Sequence, residues 1–223
     1  MKSAIANYPG SYLTIEMNQG EQLITEKGAL IYCEGEYDFQ SKFEFNNYKN
    51  WVAKILGGKS LSYNVYTARE SVRMVFSVSD SAEIFCLDIT ADNPILIEPD
   101  LHFARSTGIQ LLLEKRDWKS ALNDGIKLKT QGSGKLFLKG YGKIIHQVID
   151  TTKPVYVDES ALIAFEESLQ VQTISKGLKE FITGGEGFMF AIRGKGNIWL
   201  QSRRKGEQTS SGGLIEGIFN GLS

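Results

Sequence analysis

Residues 184–202, GGEGFMFAIRGKGNIWLQS, set apolar runs on either side of a glycine-basic-glycine step, Gly194-Lys-Gly196. The step lacks the last glycine of a dinucleotide fingerprint, and the residues after it alternate like a strand instead of opening a helix. It therefore reads as a tight β-hairpin in which Gly194 and Gly196 supply positive φ while Arg193 and Lys195 stay in water. An earlier stretch, Gly134-Lys-Leu-Phe-Leu-Lys-Gly-Tyr-Gly-Lys-Ile-Ile-His-Gln, repeats the design with Gly140-Tyr-Gly142 as its turn. Leu61 to Phe76 is a looser version turning at Ala68-Arg-Glu-Ser71.

Outward from these segments the chain keeps period two, as in Val72-Arg-Met-Val-Phe-Ser-Val and Ile84-Phe-Cys-Leu-Asp-Ile. Glycine and Asp/Asn punctuation at Gly57-Gly58, Asp92-Asn93-Pro94 and Gly132-Ser133-Gly134 ends the runs. A second repeat is sharper: Ile95-Leu-Ile-Glu-Pro-Asp-Leu-His-Phe-Ala returns 60 positions on as Val155-Tyr-Val-Asp-Glu-Ser-Ala-Leu-Ile-Ala, and Leu23-Ile-Thr-Glu-Lys-Gly-Ala-Leu-Ile-Tyr precedes the first by 72. In that frame Glu26, Glu98 and Asp158 correspond, and they read as turn-forming carboxylates that accept backbone N–H groups. The expectation is an all-β protein of jelly-roll or β-sandwich type. One domain spans 1–205 with internal repeats near 12–57, 58–130 and 131–202, and 206–223 form a Gly/Ser linker and a short apolar tail. Helix periodicity is confined to connectors at 50–56 and 175–182.

Composition excludes several classes. With 223 residues, 42% hydrophobic, the chain can bury a large core, and a net charge of −1 gives no general attraction to nucleic acid or anionic lipid. The first residues carry no apolar signal core, and no apolar run approaches the roughly 20 residues of a membrane helix, so an integral membrane protein is not expected and the cytoplasm is the expected location. Cys33 and Cys86 have neither metal nor redox spacing and read as buried free thiols. The tail positions Leu214, Ile215, Ile218, Phe219 and Leu222 share one helical face that calls for a docking surface.

The candidate chemistry is thin. Gly57-Gly58-Lys59-Ser60 resembles the end of a phosphate loop, but position 53 is Ala and the order helix-then-strand is the reverse of what a phosphate-binding helix N-terminus needs. His102 and His146 alternate with apolar residues and read as strand histidines. Tyr63, Tyr66, Phe137, Tyr141, Phe188, Phe190 and Trp199 could stack bases, yet core packing accounts for them in a large β-protein. No residue is singled out as catalytic, cofactor-binding or metal-ligating.

The glycine-rich late motif with its Asn197-Ile-Trp-Leu-Gln ending, together with Glu26-Lys-Gly-Ala-Leu-Ile-Tyr, resembles the mitochondrial biogenesis family named for altered inheritance of mitochondria, over about Tyr12 to Ser202. The resemblance implies a jelly-roll fold like that of the tryptophan RNA-binding attenuator protein, assembled as an oligomer. It carries over no catalytic residue, and fold alone does not carry tryptophan or RNA binding. The expected function is that of a non-enzymatic homo-oligomeric scaffold or protein-binding module. One alternative is a binder of small ligands or single-stranded nucleic acid through Arg193, Lys195, Arg203, Arg204 and Lys205. A second is an enzyme whose pocket would be lined by Glu98, Asp158 or His102.

Overall fold

The computed structural model describes residues 1–7, 10–43, 62–78, 81–114, 127–174 and 189–203. The expected helices at 50–56 and 175–182, the Gly57–Ser60 step, Phe188, Arg204, Lys205 and the tail lie outside them. Alternating sequence becomes seventeen described strands: β1 (Lys2–Ala6), β2 (Tyr12–Met17), β3 (Gln22–Glu26), β4 (Leu30–Glu34), β5 (Tyr37–Phe43), β6 (Ser62–Ala68), β7 (Val72–Ser77), β8 (Ala82–Ile89), β9 (Ile95–Ile97), β10 (His102–Ser106), β11 (Ile109–Leu113), β12 (Leu128–Gly132), β13 (Gly134–Tyr141), β14 (Ile144–Asp158), β15 (Leu162–Glu166), β16 (Gln170–Ile174) and β17 (Met189–Gln201). They form antiparallel sheets ordered β1-β2-β7-β4, β5-β6-β3-β10-β13-β8 and β11-β12-β9-β15-β17-β14, with β16 paired to β17. The fold is all-β, of jelly-roll or β-sandwich architecture.

Pairing registers repeat three times. In β4·β7 the partners are Leu30↔Phe76, Tyr32↔Val75 and Cys33↔Met74; in β10·β13, His102↔Leu138, Ala104↔Phe137 and Arg105↔Leu136; in β15·β17, Leu162↔Leu200, Ala164↔Trp199 and Phe165↔Ile198. A one-residue bulge falls at the same place in each, at Ile31, Phe103 and Ile163. The outer strands follow suit, with Met74↔Ile15, Leu136↔Leu87 and Ile198↔Gln147. The units that share these registers run from β2 to β7, from β8 to β13 and from β14 to β17. Their divisions fall near residues 80 and 143, instead of the 57/58 and 130/131 boundaries suggested by the sequence.

Neighbouring units join edge to edge. Strand β10 of the second unit lies on β3 of the first, Ala104↔Thr25 and Arg105↔Ile24; β15 of the third lies on β9 of the second, Ala164↔Ile97 and Phe165↔Leu96. These two seams superpose under the same 60- and 72-residue displacements found in the sequence. Each unit contributes to a buried cluster, the largest side chains being Phe76, Phe103, Phe137, Phe165 and Phe190. This confirms core packing for Phe137 and Phe190, and Tyr66 is likewise buried against Phe76 at 5.4 Å.

The Gly194-Lys195-Gly196 step is not a hairpin. It is a corner inside β17, whose first half pairs with β16 and whose second half pairs with β15, while β14 follows along the entire strand. Gly194 does take positive φ, +112°, and at Gly196 a side chain would strike Ser168 and Glu166 at 2.8 and 2.9 Å. Its counterpart is Gly132-Ser133-Gly134, where β12 hands over to β13, and not Gly140-Tyr-Gly142, which links β13 to β14 in another sheet. Glycine chemistry at a hairpin and at a sheet-switching corner is the same; the partner strand differs, and that is a non-local property.

Candidate functional site

The chemistry-bearing side chains collect at the seams between units. At the first seam, β10 begins with His102 and carries Arg105 three residues on, both buried. Arg105 Nε donates to the Ile109 carbonyl at 3.1 Å, its guanidinium lies 5.2 Å from the Tyr63 ring centre, and its Nη1 sits 3.2 Å from His102 Nε2. Since arginine only donates, His102 Nε2 must accept, which fixes a neutral imidazole with its proton on Nδ1. Burial, then the Arg105 and Lys139 charges, hold the imidazole well below its ordinary pKa. Lys139, also buried, crosses from β13 to Glu26 of the first unit at 2.5 Å.

Within the second unit Lys127 pairs with Glu98, close to the ring of Phe190. Burial lowers the Lys127 amine to about 8. The third unit has no lysine at the position of Lys139; Gln201 stands there and donates Nε2–H to the Ser160 carbonyl at 2.7 Å. At the β17 corner the buried Glu166 accepts from Asn93 Nδ2, the Asn197 backbone N–H and Asn197 Nδ2, at 2.8, 3.0 and 2.7 Å. Its equivalent, Ser106, accepts from the Lys135 N–H at 2.9 Å, so in the second and third units one position ties the same backbone corner.

Of the three corresponding acidic residues, Asp158 acts as the turn former expected, accepting from Ser160 N–H at 2.8 Å. Glu26 and Glu98 carry a role the sequence did not suggest and neutralise buried lysines. Sequence reasoning missed these lysines and Glu166. One signal points to Lys139: it alternates with Phe137 on one face, and a face that buries a phenylalanine can take a neighbouring lysine partly with it. The thiols of Cys33 and Cys86 form no disulfide and are half-buried, more open than expected.

His102 and His146 are strand histidines as the alternation implies, the first buried and the second exposed, 2.8 Å from Asn197 Oδ1 and stacked at 5.5 Å on Trp199. Among the described residues no group of three or more His, Cys, Asp or Glu could hold a metal. Open grooves of about 710 and 1020 Å³ mark the surface. Neither is lined by Glu98, Asp158 or His102, the residues that would have hinted at an enzyme. In the basic corner Arg193 is half-buried, and Lys195 lies 3.6 Å from Asp150.

The His102 geometry has a pH consequence. The folded imidazole stays neutral while the unfolded one protonates below about 6.5, so the unfolded chain binds the extra proton and stability falls with pH from there, by about 1.4 kcal/mol per unit for one site. In His102→Gln the amide oxygen keeps an acceptor for Arg105 without titrating. Urea midpoints at pH 7.5 and 5.5 should show a smaller acid loss in the variant than in the wild type; parallel losses would mean that His102 is not the neutral acceptor.

A buried ion pair across the first seam, Lys139–Glu26, and another within the second unit, Lys127–Glu98, mark an all-β repeat protein whose buried charges bind its own parts together. Over residues 4–203 the chain matches the family described as Mitochondrial biogenesis AIM24, and it belongs to that family. Its structure is similar to the X-ray crystal structure of protein SPYM3_0169 from Streptococcus pyogenes, with a TM-score of 0.70 and 18% identity over 91% of this chain and 94% of that one. At that identity the likeness shows the fold alone. No curated protein matches the chain. Among the described residues no helix is long and apolar enough to cross a membrane.

Proposed function

We propose that this protein is a non-enzymatic homo-oligomeric scaffold, working through its sheet edges and faces. The carrying observation is the set of large apolar side chains left in water on two edge strands, Ile31 and Tyr32 on β4 and Val148, Val155 and Tyr156 on β14. Contiguous apolar groups beside unpaired backbone favour association over solvation. Internal ion pairing of Lys127 and Lys139 and the hydrogen bonding of Glu166 support the same reading, because these groups are committed to structure. Three β-units strung in one chain further support the kinship with the attenuator-protein type of jelly roll.

Light scattering coupled to size exclusion tests the proposal. The expected mass is a fixed multiple of 24.8 kDa, stable on dilution to low micromolar protein. Tyr156→Asp, which adds a charge at an exposed site without touching a core, should lower that mass while leaving the far-ultraviolet circular dichroism spectrum unchanged. A wild-type monomer at every concentration would end the reading.

A further inference from the structure

We infer that copies of this chain join head to tail by pairing β4 of one with the second half of β14 of the next, so that the internal seam is built a third time between molecules. The inference rests on the proposed oligomer and gives it an interface and a register.

Repetition is incomplete at both ends of the chain. In the second and third units the strands after the 3-10 turns, β10 and β15, lie against the preceding unit, on β3 and β9. The first unit has the equivalent strand, β4, which among the described residues pairs with β7 and with no strand of another unit. The third unit has the equivalent of β3 and β9 in residues 155–158 of β14, which among the described residues pair with β17 and with no strand of another unit. Each end of the stack is thus one half of a seam whose other half is found at the opposite end.

Burial points the same way. At the bulge position Phe103 and Ile163 are 0% and 1% exposed, whereas Ile31 is 64% exposed. Next along, Ala104 and Ala164 are 0% exposed and Tyr32 is 50%. On the accepting strand Ile24 and Leu96 are 9% and 2% exposed, against 59% for Tyr156. The end positions keep the apolar character of the inner ones, which an edge meant for water does not need.

The internal seams also dictate the register. Carrying Ala164↔Ile97 and Phe165↔Leu96 back to the first unit and forward to the third gives Tyr32 opposite Val157 and Cys33 opposite Tyr156 of a second copy. In the inner seam Glu98 N–H donates to the Ile163 carbonyl and Glu167 N–H to the Pro94 carbonyl, both at 3.0 Å. The same parity makes Cys33 and Tyr156 a hydrogen-bonded pair and sets Gly35 N–H toward the Pro154 carbonyl. Pro94 and Pro154 are themselves 60 residues apart, each needed only as an acceptor. Because the two surfaces differ, the contact is heterologous and closes into a ring or extends as a chain of copies.

Antiparallel hydrogen-bonded partners have Cα atoms about 5.5 Å apart, within disulfide reach. Tyr156→Cys in a Cys86→Ala background therefore places a thiol opposite the native Cys33. After mild oxidation of the full chain, non-reducing gels should show covalent species of two or more copies. These should vanish when Cys33→Ser is added, and should be at least tenfold weaker for Val155→Cys, one position out of register with its side chain on the other face.

Light scattering is run on the same unoxidised variants and on wild type. A wild-type oligomer whose Tyr156→Cys variant assembles but does not cross-link through Cys33 would overturn this interface and leave the scaffold reading standing. A wild-type monomer would overturn both. Ile31→Asp supplies an independent check: a folded protein of unchanged oligomeric mass would also overturn the pairing.

Discussion

Gly132→Val is expected to give no folded protein. Gly132 sits at φ +95°, a region β-branched residues avoid, and a Cβ there would lie 2.2 Å from the backbone oxygen of Gly108. The obstacle is main chain and cannot rotate away. It is held in place from both sides, since Ser133 N–H donates to that same oxygen at 3.1 Å and a Cβ on Gly108 would meet Ser133 O at 2.4 Å. Backbone strain of about 1–3 kcal/mol adds to displacement of a crossing that joins two sheets, in a protein class with a total stability of about 5–15 kcal/mol. Gly20→Ala is the comparison: its φ is +81°, but nothing lies within 4 Å, so a loss of about 1 kcal/mol should leave a normal melt. Soluble yield and thermal unfolding check both. A cooperative melt for Gly132→Val within a few degrees of wild type would show that the two corners do not cross closely.

Phe137→Ala should cost about 3–5 kcal/mol while leaving the chain able to fold at low temperature. Phe137 is fully buried on β13, opposite Ala104 across the seam-forming strand and Cys86 on the other side. Neighbours from two sheets surround it, so the space it leaves cannot collapse cheaply. Trp199 holds the same place in the third unit but is half-buried, stacked on the exposed His146. Trp199→Ala should therefore cost less, about 1–2 kcal/mol, although the side chain removed is larger. Urea unfolding of both variants measures the contrast. Equal losses, or a larger loss for Trp199→Ala, would contradict the difference in burial between the middle and last units.

Strands and repeats are legible because each is encoded locally. Alternation in Val72-Arg-Met-Val-Phe-Ser marks β7, and the acidic residues at 26, 98 and 158 mark three equivalent connections between strands. Partner choice is not legible. The β17 corner reads as a hairpin because Gly194-Lys-Gly196 satisfies the needs of either, and β14 runs for 15 residues through an irregularity between Thr151 and Val155. Unit boundaries are misplaced for the same reason: glycine steps look like ends, while the registers place them in the middle of units. The buried lysines are hidden by a general expectation that lysine is solvated; for Lys139 the face it shares with Phe137 reveals otherwise, whereas Lys127 has no such signal. Nor does any residue type separate Ile31 from Phe103, or Tyr156 from Leu96. Their different exposure follows from pairing: among the described residues no strand of another unit lies on β4 or on residues 155–158.

The two seams carry different polar keys on strands paired in the same register. Lys139 of the middle unit reaches Glu26 of the first, whereas the third unit offers Gln201 in place of that lysine. If, during folding, the third unit docked on the first and skipped the middle one, Glu26 would meet an amide and Lys139 would be left to desolvate without its carboxylate. Units that share a register are thus told apart by their buried charges, Lys139 and Arg105 in the second against Gln201 and Phe165 in the third, which discriminate between possible partners.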